Sequence, residues 1–369
     1  MLKNYMGILM LNEQEDKIKS LTKARTIASI PIAGRYRIID FVLSNMVNSG
    51  VCNVGIFSNT KSRSLVDHLG SGRPWDLDRK INGLFLFNFT SKESRLRDID
   101  ELSENIEYLH RTEQDYVIIS SSYMLCNIDY NEAAKYHEES GSDITLLYKK
   151  INNGKVDYIN FSTLNINDEN KVLSIGKNKG EEDNLKICME MFIMKKSTLI
   201  TIINKCVQTG YNNSIKSAIY NTVSELNVKA FEFKGYLKCI NSIENYYKAN
   251  MDMLNTKVSK ELFFRNGLIY TKIRDEAPTK YFNGAKVSNV LVANGCTLKG
   301  SIENSIIARR VTVHAGAELK NCIILQDCEI GKGCKLTNVI IDKNTTLEEN
   351  TILKGDEKFP VVIEKKVGI

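Results

Sequence analysis

The chain has 369 residues, 43% of them hydrophobic and 25% charged, with a formal charge of +6. That length calls for two cores, because a single core stops growing well below it. The composition is that of an ordinary soluble protein; no block of like charge suggests a nucleic-acid tail, and no apolar run nears the ~18 residues of a membrane span.

Met6 to Leu11 is short, apolar and bounded by polar residues, which predicts a buried parallel strand. The loop after it reads Asn12-Glu13-Gln14-Glu15-Asp16-Lys17, with three carboxylates and no glycine. A loop that cradles a triphosphate needs glycines so that backbone N–H groups can approach the anion, together with neutral or positive charge. This one is a poor place for ATP.

Val54 to Phe57, Tyr116 to Ile119 and Ile144 to Tyr148 read as further strands, and Ile99 to His110, Asn131 to Glu139 and Ser197 to Cys206 as helices. Such alternation predicts a parallel sheet covered by helices on both faces. Trp75, after a proline turn, reads as a packed aromatic.

The C-terminal part follows another rhythm. Val313, Leu319, Ile324, Ile330, Leu336, Ile341 and Leu347 are spaced by five or six residues, and two residues before each lies Val311, Ala317, Cys322, Cys328, Cys334, Val339 or Thr345. Neither a helix nor an ordinary strand has that period; a triangular parallel β-helix does, closing a coil after 17 residues, as from Val313 to Ile330 to Leu347. Gly295, Gly316, Gly331 and Gly333 fall at the expected corners, and the solenoid cysteines read as small apolar fillers. The division expected is an α/β domain over 1–255, a linker over 256–282 and the β-helix over 283–369.

Gly34-Arg35-Tyr36-Arg37-Ile38-Ile39-Asp40-Phe41, Leu43-Ser44-Asn45, Asn48-Ser49-Gly50 and Ser71-Gly72-Arg73-Pro74-Trp75-Asp76 resemble the glucose-1-phosphate adenylyltransferase (ADP-glucose pyrophosphorylase) family. Those enzymes make ADP-glucose and pyrophosphate from ATP and glucose 1-phosphate for glycogen or starch. The resemblance runs from about residue 6 to the end of the chain. It implies a nucleotidyltransferase-like (Rossmann-like) mixed sheet domain followed by a left-handed β-helix used for subunit contact and effector binding. Against the family's Gly-Gly-x-Gly-x-Arg-Leu loop, the positions here carry Asn12, Glu13, Gln14, Glu15, Asp16, Lys17 and Ile18; Lys17 keeps the charge of the arginine but not its fork. The family's lysine-proline pair is matched by Ile27 and Ala28.

Nucleotidyl transfer needs Mg²⁺ held by carboxylates. One family aspartate lies in Ser-Gly-Asp-His, matched by Ser121-Ser122-Tyr123-Met124, and the other in Gly-Tyr-Trp-Arg-Asp, matched by Gly235-Tyr236-Leu237-Lys238-Cys239. Tyr123 and Cys239 thus replace both, and neither phenol nor thiol suits Mg²⁺. On the sugar-phosphate side, Glu-Lys-Pro corresponds to the region around Lys177, its register open by one residue. Ser-Met-Gly reads Cys188-Met189-Glu190, a charged side chain where close approach to sugar needs glycine. Gly-Thr-Ala-Asp becomes Arg97-Asp98-Ile99-Asp100. These departures resemble the GlgD-type subunit of glycogen-forming bacteria.

The expectation is a catalytically impaired regulatory partner of an active catalytic subunit in a hetero-oligomer, a tetramer, with Mg²⁺ bound by the partner and no cofactor or metal on this chain. Lys17 and Lys177 are candidate remnants of substrate binding, and Arg309 and Arg310 candidate effector contacts. Two other readings remain. In one the enzyme is active, with Asp98, Asp100 or Asp129 recruiting the metal; in the other the chain is a non-catalytic sensor of nucleotides or sugar phosphates. An acyltransferase would need a histidine on the solenoid, where His314 is the sole candidate. Nine single cysteines and four scattered histidines give no paired metal-ligand spacing. With too few early apolar residues for a secretory segment, a reducing cytoplasm is the expected location.

Overall fold

The computed structural model describes residues 1–58, 62–88, 98–211 and 214–365. The predicted first strand runs Tyr5–Met10 and is buried throughout. It pairs in parallel with Asn53–Ser58 on one side and Tyr116–Ser121 on the other. Gly83–Asn88 extends the parallel part beyond Asn53–Ser58. The long strand Leu185–Lys195 joins Tyr116–Ser121 antiparallel, so the sheet is mixed and not the parallel one that the alternation alone predicts. Ile144–Ile151, Val228–Glu232 and the pair Ser162–Ile166/Val172–Lys177 bring the sheet to nine strands among the described residues. The strand order reverses between Tyr5–Met10 and Tyr116–Ser121, and a crevice opens beyond the strand ends at such a point in sheets of this kind.

Helices lie on both faces, and two hydrophobic clusters sandwich the sheet. The helix read over Ile99 to His110 is two, Asp98–Glu104 and Ile106–Arg111. Asn105 breaks it: its side chain donates to the Glu101 carbonyl at 2.9 Å, competing for the backbone acceptor that would carry the helix on.

The Gly34 to Gly50 motif serves the scaffold. Asp40 accepts from the Arg37 N–H at 2.9 Å at the start of the helix Ile38–Asn48, and lies 2.5 Å from the His68 ring. Asn45 donates to the Cys126 carbonyl and accepts from the Ile128 N–H, tying that helix to the segment after Tyr123. Gly34 has φ +69°, and a Cβ there would meet the Ile307 carbonyl oxygen at 3.1 Å, so glycine is required where the sheet domain touches the solenoid. Trp75 is buried beside His68, as expected of a packed aromatic.

Within the segment read as a linker, Thr256–Phe264 forms a helix and Lys280–Tyr281 already pairs into the first coil of the solenoid. The 17-residue register is observed: Val313 pairs with Ile330 and Ile330 with Leu347. The parallel strands enclose an apolar interior that includes Cys296, Cys322, Cys328 and Cys334, consistent with the left-handed β-helix expected. The coil from Thr297 to Thr312 is two residues shorter than the next, because only Lys299 and Gly300 separate Thr297–Leu298 from Ser301–Ile307, where four residues separate Thr312–Val313 from Glu318–Lys320.

That corner holds a feature the glycine pattern does not reveal. Asn289, Asn304, Asn321 and Asn338 all take positive φ and stack, each side-chain amide donating to the next at 2.7–3.0 Å. Asparagine tolerates the left-handed conformation, and here its amide also satisfies its neighbour.

The solenoid docks on the sheet domain through a mixed interface. Ile323, Leu325 and Ile340 belong to the sheet domain's hydrophobic cluster. Tyr247 donates to the Asn321 carbonyl at 2.8 Å, and Arg25 forms a buried ion pair with Asp342.

Candidate functional site

A cavity of about 1220 Å³ opens at the carboxyl ends of Tyr5–Met10 and Tyr116–Ser121, at the reversal point of the sheet. Its walls include Asn12, Glu13, Lys17, Tyr123, Lys177, Glu190 and Lys216. Positions separated by most of the sheet domain in sequence are thus gathered around one cleft.

The acidic loop folds back on the other half of the site. One Glu13 oxygen accepts from both the Ser122 backbone N–H (2.8 Å) and its hydroxyl (2.6 Å). The residue keeps some exposed surface, but its carboxyl is enclosed. Burial pushes that carboxyl up to about 7, against the pull of the Ser122 hydrogen bonds, and nearby Glu190 adds to the rise. Asn12 donates to Glu101 at 3.0 Å, so the loop is held at two points by its own side chains.

Tyr123 and Cys239 come together, as a shared origin in one metal site requires. Met124–Leu125 pairs antiparallel with Lys238–Cys239, and the Ile240 N–H donates to the Tyr123 carbonyl at 2.8 Å. Burial, followed by the charge of Glu190, holds both the phenol and the thiol well above their ordinary ranges. Both therefore stay protonated and neutral at physiological pH. The family's Mg²⁺ does not fit here, since a hard dication needs anionic oxygen from these two positions. Among the described residues no three His, Cys, Asp or Glu side chains converge as a metal site.

Glu190 is at the centre. Its carboxylate accepts from the Tyr123 hydroxyl at 2.6 Å and from Lys216 at 2.8 Å. The residue lies at a register shift of Leu185–Lys195 and has φ +55°, the left-handed region that suits glycine. The glycine conformation expected at this position is kept, and a glutamate occupies it. Lys216 lies on the helix Ile215–Asn221; nothing in its local sequence pointed to the site.

Lys17 and Lys177 line the same cleft, both exposed. Ile27 is buried in the hydrophobic cluster and presents nothing to the cleft, and Glu15 is partly buried in the loop. Of the alternative metal carboxylates only Asp98 lines the cavity; it accepts from the Ile215 N–H at 3.2 Å, and burial raises it to about 6. Asp129 caps the helix Tyr130–Ser140. Arg97 lies outside the described residues.

Away from the cleft, the two solenoid arginines differ. Arg310 has positive φ, forms a two-pronged contact with Asp327 (2.6 and 2.8 Å) and also pairs with Glu276, so its donors are committed to a corner. Arg309 is largely buried and faces the sheet domain; burial, then Arg35 and Arg274, lower its guanidinium. His314 pairs with Glu329 at 2.8 Å on the solenoid surface.

Glu101 supplies a pH test. Its side chain is buried, one oxygen has no partner, and burial raises it from 4.5 to about 7. A carboxyl raised on folding stabilises fully below its unfolded value and loses that contribution as pH climbs through about 7. Glu101→Gln keeps an acceptor for Asn12 without the charge. Relative to wild type it should gain about 2 kcal/mol of stability between pH 5 and pH 8, measured by denaturant unfolding at both.

Fold and cleft define a nucleotidyltransferase-type domain carrying a hexapeptide β-helix. A nucleotidyl transferase family model matches residues 14–256, and one described as GlmU-like, C-terminal hexapeptide matches 277–358. The glycogen biosynthesis protein GlgD of Bacillus subtilis (strain 168) is 35% identical over 98% of this chain and 95% of its own length. GlgD of Geobacillus stearothermophilus is 36% identical over 85% of this chain and 82% of its own. Glucose-1-phosphate adenylyltransferase of Bacillus cereus is 26% identical over 97% of this chain and 96% of its own. The chain belongs to the glucose-1-phosphate adenylyltransferase family, as a GlgD-type member.

Proposed function

We propose that the chain acts in bacterial glycogen biosynthesis as a catalytically impaired, regulatory partner of an active glucose-1-phosphate adenylyltransferase subunit in the cytoplasm. The observation that carries this reading is the convergence of Tyr123 and Cys239 at one short ladder, in which Cys239 pairs with Met124, both side chains neutral where the family places its two metal carboxylates. The phosphate loop supports it, because Glu13 takes the Ser122 donors that an anion would otherwise find free. Chemistry is lost, while the scaffold and solenoid are kept. A β-helix also leaves an open end whose backbone groups favour a covering partner.

In this reading the chain holds no metal of its own, and Mg²⁺ belongs to the partner. Lys17 and Lys177 are remnants at the cleft mouth, and Arg309, beside Arg35 and Arg274, is the better placed of the two solenoid arginines for an anionic effector. The test is co-expression with the organism's catalytic homologue, followed by mass measurement and an ADP-glucose assay. A mixed complex, a tetramer, with a changed maximal rate or effector response is expected. Two proteins that elute separately and do not alter each other's kinetics would refute the partner role.

A further inference from the structure

Lys216 is the one lysine of the cleft wall, among the described residues, whose ammonium has an ion-pair partner in the cleft itself, and that partner is Glu190 at 2.8 Å. Lys17 and Lys177 are exposed at the same cleft. Glu190 holds this contact from a backbone conformation that glutamate rarely adopts, and such conformations persist only where the surroundings over-determine them. The determinants here are polar: Lys216 on one carboxylate oxygen and the Tyr123 hydroxyl on the other. An ammonium and a hydroxyl converging on two oxygens of one anion is also how a phosphate monoester is held. The glutamate side chain is therefore built into the volume a ligand anion would need.

We infer that Glu190 is the specificity-determining residue that closes this cleft to sugar phosphates, its carboxylate occupying Lys216 and Tyr123 as an internal substitute for a ligand's phosphate. This rests on the reading above that the cleft has lost its reaction, and it explains how the loss is held in place. A phosphate entering the wild-type cleft meets a neutralised lysine and a fixed negative charge, and repulsion disfavours it. Glu13 does the same nearby by occupying the Ser122 N–H and hydroxyl.

Glu190→Gly removes the anion and also supplies the residue this backbone prefers, so the variant should fold with an unchanged or raised melting temperature. Calorimetric titration of the full-length protein with glucose 1-phosphate, and separately with inorganic phosphate, reads the outcome. Binding of glucose 1-phosphate should tighten about tenfold or more in Glu190→Gly relative to wild type, and Glu190→Gly/Lys216→Ala should lose the gain. A gain for inorganic phosphate as well assigns it to the phosphate alone; a gain for glucose 1-phosphate only assigns it to the phosphate together with its sugar, and either supports the inference. Equal binding by wild type and a folded Glu190→Gly would overturn it, as would a gain that survives loss of Lys216. Turnover separates the two ideas: the variant should stay inactive with ATP, because Tyr123 and Cys239 remain. If it bound and turned over, the inference about Glu190 would stand and the proposed impairment would fall.

Discussion

Tyr123→Asp/Cys239→Asp should cost about 3–5 kcal/mol of stability without divalent metal, and millimolar Mg²⁺ should return part of it. The wild-type pair is neutral and closely packed, with the phenol donating to Glu190. Two aspartates would place two more carboxylates beside Glu190 and the enclosed Glu13, in a site that already raises the Glu13 carboxyl to about 7. Like charges that cannot reach water are relieved either by protonation or by a cation. Thermal melts at pH 8 with Mg²⁺ and with a chelator measure the effect. A double variant as stable as wild type and indifferent to Mg²⁺ would mean that these positions do not form one buried site.

Asp342→Ala should be nearly as damaging, by about 3–5 kcal/mol, although it lies far from the cleft. Its carboxylate pairs with Arg25 across the junction of the two domains, and both side chains are almost wholly buried. Arg25 has a second nitrogen without a partner, and its surroundings are cationic. Burial, then Arg25 and Arg37, lower the Lys343 ammonium to about 7. Removing Asp342 strands a buried guanidinium among like charges, so the loss reflects an uncompensated cation more than a missing attraction. Arg25→Met/Asp342→Leu, which removes both charges, should recover most of the stability in denaturant unfolding. If Asp342→Ala changes stability by less than 1 kcal/mol, the pair does not join the domains.

The sheet and the solenoid were legible because burial leaves a periodic imprint. Tyr5–Met10 reads as apolar throughout since it is covered on both faces, and the five- and six-residue steps from Val313 to Leu347 follow from flat sides of fixed length. Corners were only half legible: glycine marks some, but the asparagine stack from Asn289 to Asn338 becomes meaningful only when coils superpose. Tyr123 and Cys239 could be picked out by counting from retained motifs, and their convergence needed the fold. Glu190 was visible as a charge at a glycine position. Its partner Lys216 was not, since it reaches the cleft from a helix whose own sequence carries no sign of it.

Under the proposed function the chain keeps the family's scaffold and solenoid while the side chains of its cleft satisfy one another. The most direct measurement is ADP-glucose formation by the purified full-length chain alone, with ATP, glucose 1-phosphate and Mg²⁺ at saturating concentration, in a preparation shown free of the catalytic homologue. Neutral Tyr123 and Cys239 at the metal positions predict no product above the enzyme-free blank. Sustained turnover by the isolated chain would contradict it.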